Sequence, residues 1–367
     1  MSILIDFNVG FSQTLKSFLF EGNTRQYLEY VPANYTPSEP LPLVICLHGL
    51  GDNINNFKNI GMHLIGDTAR FITLYPQAMP SLIGNAWNAG IAYMGYMLNA
   101  NINDVGFLIK LIDTTMSIYS IDSSKIYMCG FSLGGFMSNR MACEATHRIS
   151  AIASVAGTIG NAITCNPSRP IPVCHFHGTA DSTVSYSNNA YGMNTEPFIN
   201  FWVLANQCDT NYLWQVYPNI VADNIMVESF LYTQPNHADV MLYKAINAGH
   251  QWLYLPANDI SYTFEIWKFF RKYSFYTQIH TTKESQQNTV LLYPNPTFSG
   301  YLSLSEHINN SDGIIELFDM TGKCVFRSSL NIKQINISSL TNGLYTAKIQ
   351  FNQQLHYQKI IIANNFK

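Results

Sequence analysis

A chain of 367 residues is long for one ordinary domain and suits a large domain joined to a small one. Hydrophobic residues make up 47%, enough for a substantial core, but charged residues only 12%, against roughly 25% in an average soluble protein. The net charge of -3 leaves no basic excess to neutralise phosphates, which excludes nucleic acid as a partner. No apolar run reaches the roughly 18 residues of a membrane-spanning helix. A surface built on Asn, Gln, Ser, Thr and Tyr instead of charge fits an exported protein.

Taken in chain order, residues 1–22 open with a short apolar run interrupted by Asp6 and lacking a basic start. Gly10 and Ser12 are small residues two apart, just before Gln13, as at a signal-peptide cleavage site. This segment reads as the remnant of a signal peptide and a lead-in. Residues 23–275 then alternate β-like and helix-like stretches. Gln26 to Val31 alternates and predicts an antiparallel edge strand. Val44 to Leu47, Phe71 to Tyr75, Ile126 to Cys129, Ile152 to Val155 and Val173 to Phe176 predict short buried strands. Strands that alternate with helices imply a mostly parallel, doubly wound α/β sheet.

Three loops that follow these strands carry candidate chemistry. His48-Gly49-Leu50-Gly51-Asp52 follows the first parallel strand. Such a Gly-rich turn can aim the Leu50 N–H at an oxyanion, while His48 buttresses the loop. Ile126 to Cys129 runs into Gly130-Phe131-Ser132-Leu133-Gly134 and then a helix-like stretch from Phe136 to Cys143. A serine on a sharp strand-to-helix turn needs small residues two positions away on either side. The turn lifts Oγ clear of the sheet and sets the Leu133 N–H at a helix N-terminus, facing a developing oxyanion. Val173 to Phe176 leads into His177-Gly178-Thr-Ala-Asp181, which puts Asp181 at a strand's C-terminal end.

The strand Val240 to Ile246 is followed by Asn247-Ala-Gly-His250-Gln-Trp252. The order Ser132, Asp181, His250 is that of nucleophile, acid and base in a serine hydrolase. Trp87 and Trp252, in loops, are candidate substrate contacts. Asp104 reads as a helix N-cap. His175 and His177 share a strand face without a third ligand, so no metal is expected, and no cofactor. Ser261 to Tyr273 reads as an amphipathic helix, residues 276–288 as a polar linker, and residues 289–367 as a small all-β, sandwich-like module. Short β-like runs there are separated by Asn295-Pro296, Thr321-Gly322 and Asn342-Gly343.

Seven cysteines contain no C-x-x-C pair. Cys46, Cys129 and Cys174 sit in apolar strands and read as small buried hydrophobes. Cys143, Cys165 and Cys208 lie in less regular stretches, where an export route would let two of them pair.

Residues 25 to 270 resemble the polyhydroxybutyrate depolymerase-type esterases, a group that includes feruloyl and acetylxylan esterases. The matching stretches are Arg25-Gln-Tyr-Leu-Glu-Tyr-Val-Pro32, Leu47-His-Gly-Leu-Gly-Asp52, Trp87-Asn88, Asn103-Asp-Val-Gly-Phe107, Gly130-Phe-Ser-Leu-Gly-Gly-Phe136, His177-Gly-Thr-Ala-Asp181 and Gly249-His-Gln-Trp252. The resemblance implies an α/β-hydrolase fold with Ser132, Asp181 and His250 as the triad. It departs from the usual pattern in having Ala248 and Leu253 around the base. The last module resembles the C-terminal sorting domain of type IX secretion, on Leu292-Tyr-Pro-Asn-Pro296, Ile315-Glu-Leu-Phe-Asp319, Leu340-Thr-Asn-Gly-Leu-Tyr345 and Gln358-Lys-Ile-Ile361. That resemblance implies the type IX machinery as a partner, passage through the periplasm, and an extracellular or outer-surface location.

The expectation is a secreted serine carboxylic-ester hydrolase acting on feruloyl or acetyl esters of plant-wall polysaccharide. A hydroxyalkanoate polyester depolymerase is the alternative, and a non-catalytic carbohydrate-binding protein on the same fold a remote one.

Overall fold

The computed structural model describes residues 12–233 and 238–274, and in the C-terminal part residues 292–293, 297, 299–304, 313–319, 323–332, 334–351 and 354–362. The expected leader up to Phe11, the linker 276–288, and the turns at Asn295-Pro296 and Thr321-Gly322 lie outside the described residues. The chain divides into two compact units, Met1–Thr282 and Lys283–Lys367.

The first unit is built on one ten-stranded sheet. Its strands are β1 (Ser12–Phe20), β2 (Asn23–Val31), β3 (Leu41–Leu47), β4 (Ile72–Pro76), β9 (Ile121–Phe131), β10 (Ala151–Val155), β11 (Val173–Gly178), β12 (Tyr212–Val216), β13 (Met226–Tyr232) and β14 (Val240–Ile246). Two small hairpins, β5 (Met79–Ser81) with β6 (Gly84–Ala86) and β7 (Ala92–Tyr93) with β8 (Tyr96–Met97), lie between β4 and β9. The sheet order is β1-β2-β4-β3-β9-β10-β11-β14-β13-β12. From β4 to β14 every neighbouring pair is parallel, and both ends finish in antiparallel pairs.

The central strands are buried on both faces, which is why they read as continuous apolar runs. Alternate residues feed two cores. Leu43, Ile45 and Leu47 point to one with Phe107, Phe136, Met141 and Trp202. These come from α3 (Asp104–Ile118), α4 (Leu133–Glu144) and α5 (Thr195–Ala205). Val44 and Cys46 point to the other with Phe57, Met62, Ile266 and Phe270, from α1 (Ile54–Phe57), α2 (Met62–Ala69) and α6 (Tyr262–Phe270). Cys129 and Cys174 fill the second core as small apolar groups. The expected β/α alternation is therefore present as an α/β-hydrolase sheet with helices on both faces.

Residues 12–20, within the expected lead-in, form the outer strand of this sheet, and Phe18 and Phe20 pack on Phe107 with ring centroids 5.7 and 6.3 Å away. Two sequence expectations change. β2 is therefore not an edge, because β1 covers it along its whole length. Asp104 does not cap α3 either. Asn103 does so, its side chain accepting the Gly106 N–H at 2.9 Å, and Asp104 turns inward.

Of the three cysteines left open, Cys143 and Cys165 form a disulfide, while Cys208 is a free thiol. In the second unit a three-stranded and a four-stranded antiparallel sheet pool Leu292, Leu302, Ile335, Ile315, Leu317, Ala347 and Ile360 into one core, a small β-sandwich.

Candidate active site

β9 ends at Phe131 and α4 begins at Leu133, so Ser132 alone makes the turn. Its backbone has φ 53° and ψ -120°, a strained conformation for any residue with a side chain. Neighbouring backbone fixes it there. The Ser132 N–H donates to Val155 O at 2.8 Å and Ser132 O accepts from the Phe136 N–H at 3.0 Å. The flanking glycines follow from contact distances. A Cβ on Gly130 would lie 2.2 Å from Gly134 O, and one on Gly134 would lie 2.1 Å from Leu47 O. The five-residue spacing is thus a packing requirement of helix against strand.

Asp181 sits in the turn after β11 and divides its two oxygens. Oδ1 accepts the Thr183 and Val184 N–H groups at 2.9 and 2.8 Å, an Asx-type turn. Oδ2 is 2.7 Å from His250 Nδ1. Burial alone would raise this carboxyl's pKa. Hydrogen bonds from His177 and His250, and the Val184 N–H, outweigh it and hold the group well below the usual carboxylate range. A carboxylate on Nδ1 fixes the proton there and leaves Nε2 bare to act as a base.

The His250 loop follows β14 and turns at Asn247, with φ 65°. It is laced to the Asp181 loop: Asn247 N–H to Thr179 Oγ1 at 2.9 Å, and Ala180 N–H to Ala248 O at 3.0 Å. The ring of Phe131, next to the serine, lies 4.8 Å from the His250 ring. Ser132 and His250 line one pocket of about 300 Å³ with Leu50, Leu133, Phe136 and Val184. The Ser132 hydroxyl makes no hydrogen bond among the described residues.

Leu50 and Leu133 both border this pocket, and neither N–H has a protein acceptor among the described residues. The Leu50 loop is rigidly built. His48 donates from Nδ1 to Gly49 O at 2.7 Å, and its Nε2 accepts the Ala78 N–H at 3.1 Å and the Gln77 amide at 3.0 Å. Burial lowers its pKa, which fits a neutral buttress. The Gly51 N–H is held by Asn85 O at 2.9 Å.

Trp87 is a correction. It is fully buried, and its indole N–H donates to His48 O at 2.9 Å, so it supports the His48–Asp52 loop from within the core and presents no surface to a ligand. Trp252 is half-buried, its N–H on Thr263 Oγ1 at 3.0 Å. It lines a second depression of about 790 Å³ with Asp52, Phe131 and Tyr254. Asp52 and Phe131 border both cavities. Behind the site lies a network that sequence reasoning missed. Asp104 takes Arg25 at 2.6 Å and the Asn88 N–H at 2.7 Å, and Arg140 of α4 donates to Asn88 O and Oδ1 at 2.7 and 2.8 Å. The motif residues Arg25, Trp87, Asn88 and Asp104 are scattered along the chain but form one scaffold under α4. Charge spacing gave no signal for it, because its members come from four separate elements. No group of three or more metal-ligating side chains occurs among the described residues.

Comparison with known proteins agrees with this architecture. The bifunctional acetylxylan esterase/xylanase of Neocallimastix patriciarum is 27% identical over 169 residues, 45% of this chain and 23% of that protein. Feruloyl esterase B of Piromyces equi is 28% identical over 170 residues, 44% of this chain and 30% of that protein. The chain thus spans less than a third of the length of these two relatives. Feruloyl esterase C of Emericella nidulans is 29% identical over 191 residues, 51% of this chain and 66% of that protein. Among solved structures, an acetyl xylan esterase from Aspergillus awamori shares the fold, with a TM-score of 0.50 and 16% identity over 70% of this chain and 99% of that one. Residues 291–363 match the secretion system C-terminal sorting domain. Residues 36–233, more than half of the 367, match the Phospholipase/Carboxylesterase family, and the chain belongs to that family.

Proposed function

We propose that this protein is an exported serine carboxylic-ester hydrolase that works through an acyl-enzyme on Ser132. The observation that carries the reading is the 2.7 Å Asp181–His250 bond together with the pocket that His250 and Ser132 both line. Ser132 Oγ attacks the ester carbonyl carbon as His250 Nε2 takes its proton. The carbonyl oxygen becomes an oxyanion between the Leu50 and Leu133 N–H groups, the second of them at the N-terminus of α4. The alcohol leaves with the proton from His250. Water, deprotonated by the same ring, then releases the acid. Asp181 holds the tautomer of His250 and stabilises its cation.

The acyl group we assign is aromatic, of the feruloyl kind, on plant-wall polysaccharide. A pocket of about 300 Å³, lined by Ile91, Leu98, Leu133, Phe136 and Val184, is at the small end of the range that encloses a ring-bearing ligand. An acetyl group would leave most of it unfilled. The half-buried Trp252 stands on the neighbouring depression, where the alcohol part of such an ester can rest. The C-terminal sorting domain supports export by the type IX machinery, to the outside or the cell surface.

Ser132→Ala is expected to lower turnover of a soluble p-nitrophenyl ester by several orders of magnitude, roughly 10⁴-fold or more. Near-parental turnover in that variant ends the proposal. Release of ferulate and acetate from matched polysaccharide esters checks the acyl group, and equal rates on both would refute the aromatic assignment.

A further inference from the structure

Behind the acid lies a run of buried polar side chains that the reaction as written does not use. His175 and His177 alternate on β11 with Phe176 and, with Ser154 on β10, point to the same side of the sheet, as does Thr195 from α5. All four are fully buried or within 1% of it. Ser154 Oγ is 2.7 Å from His175 Nδ1, His175 Nε2 is 3.1 Å from His177 Nδ1, and Thr195 Oγ1 is 3.0 Å from the same Nδ1. At the far end, His177 Nε2 is 2.7 Å from Val184 O and 3.5 Å from Asp181 Oδ2.

The tautomers follow from these partners. A carbonyl oxygen only accepts, so Val184 O requires the proton of His177 on Nε2. His177 Nδ1, the other ring nitrogen, is then placed to accept from the Thr195 hydroxyl and from His175 Nε2–H. His175 Nδ1 then accepts the Ser154 hydroxyl. Burial, then the neighbouring His177, keeps His175 neutral well below its ordinary pKa. The other titratable groups facing this run are Asp181 and His250 on one side and Tyr186 on the other. The Tyr186 ring lies 5.5 Å from that of His177, with Glu196 and Lys244 beyond it.

We infer that His177 is a positioning residue for the acid: its Nε2–H, locked by Ser154, His175 and Thr195, clamps the Asp181–Val184 turn and aims Asp181 Oδ2 at His250. The clamp acts twice on one turn. It holds the carbonyl of Val184, whose N–H binds Asp181 Oδ1 at 2.8 Å, and it lies beside the oxygen that meets the base. A turn held from both ends cannot rotate the carboxylate away from His250. The inference rests on the triad proposed above.

The test is a double-mutant cycle on a soluble p-nitrophenyl ester. His177→Leu is expected to lower kcat roughly ten- to a hundred-fold with KM changed less than about twofold, the cost of a misaimed catalytic group. His177→Gln sets an amide N–H near the position of Nε2 and is expected to restore kcat to within about threefold of the parent. In an Asp181→Asn background His177→Leu should cost nothing further, because it acts only through that carboxylate. A loss of the same factor in both backgrounds, or a Gln variant as poor as the Leu variant, overturns the inference. If the Leu variant does not fold, Ser154→Ala and Thr195→Val keep the ring and loosen its tautomer. Each should then lower kcat about threefold, an effect that vanishes in the Asp181→Asn background, and persistence there also overturns it. An Asp181→Asn enzyme with parental activity refutes the triad itself, an outcome distinct from these.

Discussion

Replacing Asp104 by Asn probes the scaffold under α4. The Asp104 side chain has no solvent exposure and that of Arg25 has 1%, and their 2.6 Å contact lies against the Phe107 ring, 3.6 Å from the guanidinium. Burial lowers the Arg25 pKa and raises that of Asp104, in each case against the partner's opposing pull, so desolvation outweighs attraction for both. Such a pair adds little net stability, yet removing one charge strands the other in the core at a cost of about 3–5 kcal/mol. Asparagine keeps an oxygen for the Asn88 N–H but leaves the guanidinium uncompensated. At about 2–4 °C per kcal/mol for a domain of this size, the melting temperature should fall by roughly 6–20 °C. Arg140 donates to Asn88 O and Oδ1, so the loosened loop also reaches α4, and kcat should fall with stability. The companion variant Arg25→Met with Asp104→Leu removes both charges and should melt close to the parent. Calorimetry of the three proteins decides it. An Asp104→Asn protein within about 2 °C of the parent, or a double variant as unstable as the single one, refutes the reasoning.

His63 stacks on Tyr30 at 4.0 Å and hydrogen-bonds Tyr75 OH at 3.1 Å; burial, then Lys58, holds its pKa down to about 4 from 6.5. The folded state takes up this proton at lower pH than the unfolded one. The stability it contributes is therefore complete above pH 6.5 and is lost as pH falls from 6.5 to about 4. Melting temperatures should drop across that window, and His63→Phe should flatten the drop; equal slopes would contradict this. The Cys143–Cys165 disulfide closes a separation of 22 residues, so reducing it should cost about 3 kcal/mol. That corresponds to a melting temperature lower by about 6–12 °C, and an unchanged melt with both thiols shown to be free would refute the estimate.

The Gly130 to Gly134 pattern was legible in the sequence because its cause is local. Two backbones meet so closely that only glycine fits, and that leaves a fixed mark at fixed spacing. The order Ser132, Asp181, His250 was legible for a related reason, since each follows a short apolar strand whose end marks one edge of the sheet. The β-rich character of the last module could be read from its short β-like runs, four of which fall in strands of the second unit. Trp87 and Asp104 were misread because their roles depend on distant partners. An aromatic in a loop reads as exposed until His48 O, 39 positions away, takes its N–H. An acid at a helix start reads as a cap until Arg25, 79 positions away, draws it inward.

Local chemistry in the sequence determined which residues turn, which strands are buried and which three side chains can form a triad. Tertiary structure alone decided the rest. It made residues 12–20 a strand, because Phe18 and Phe20 need Phe107 to cover them. It paired Cys143 with Cys165 from among three candidates. It also gathered Ser154, His175, His177 and Thr195 behind the acid. Hydrogen bonds and close packing are short-ranged in space and indifferent to separation along the chain, so only the folded chain could bring these groups together.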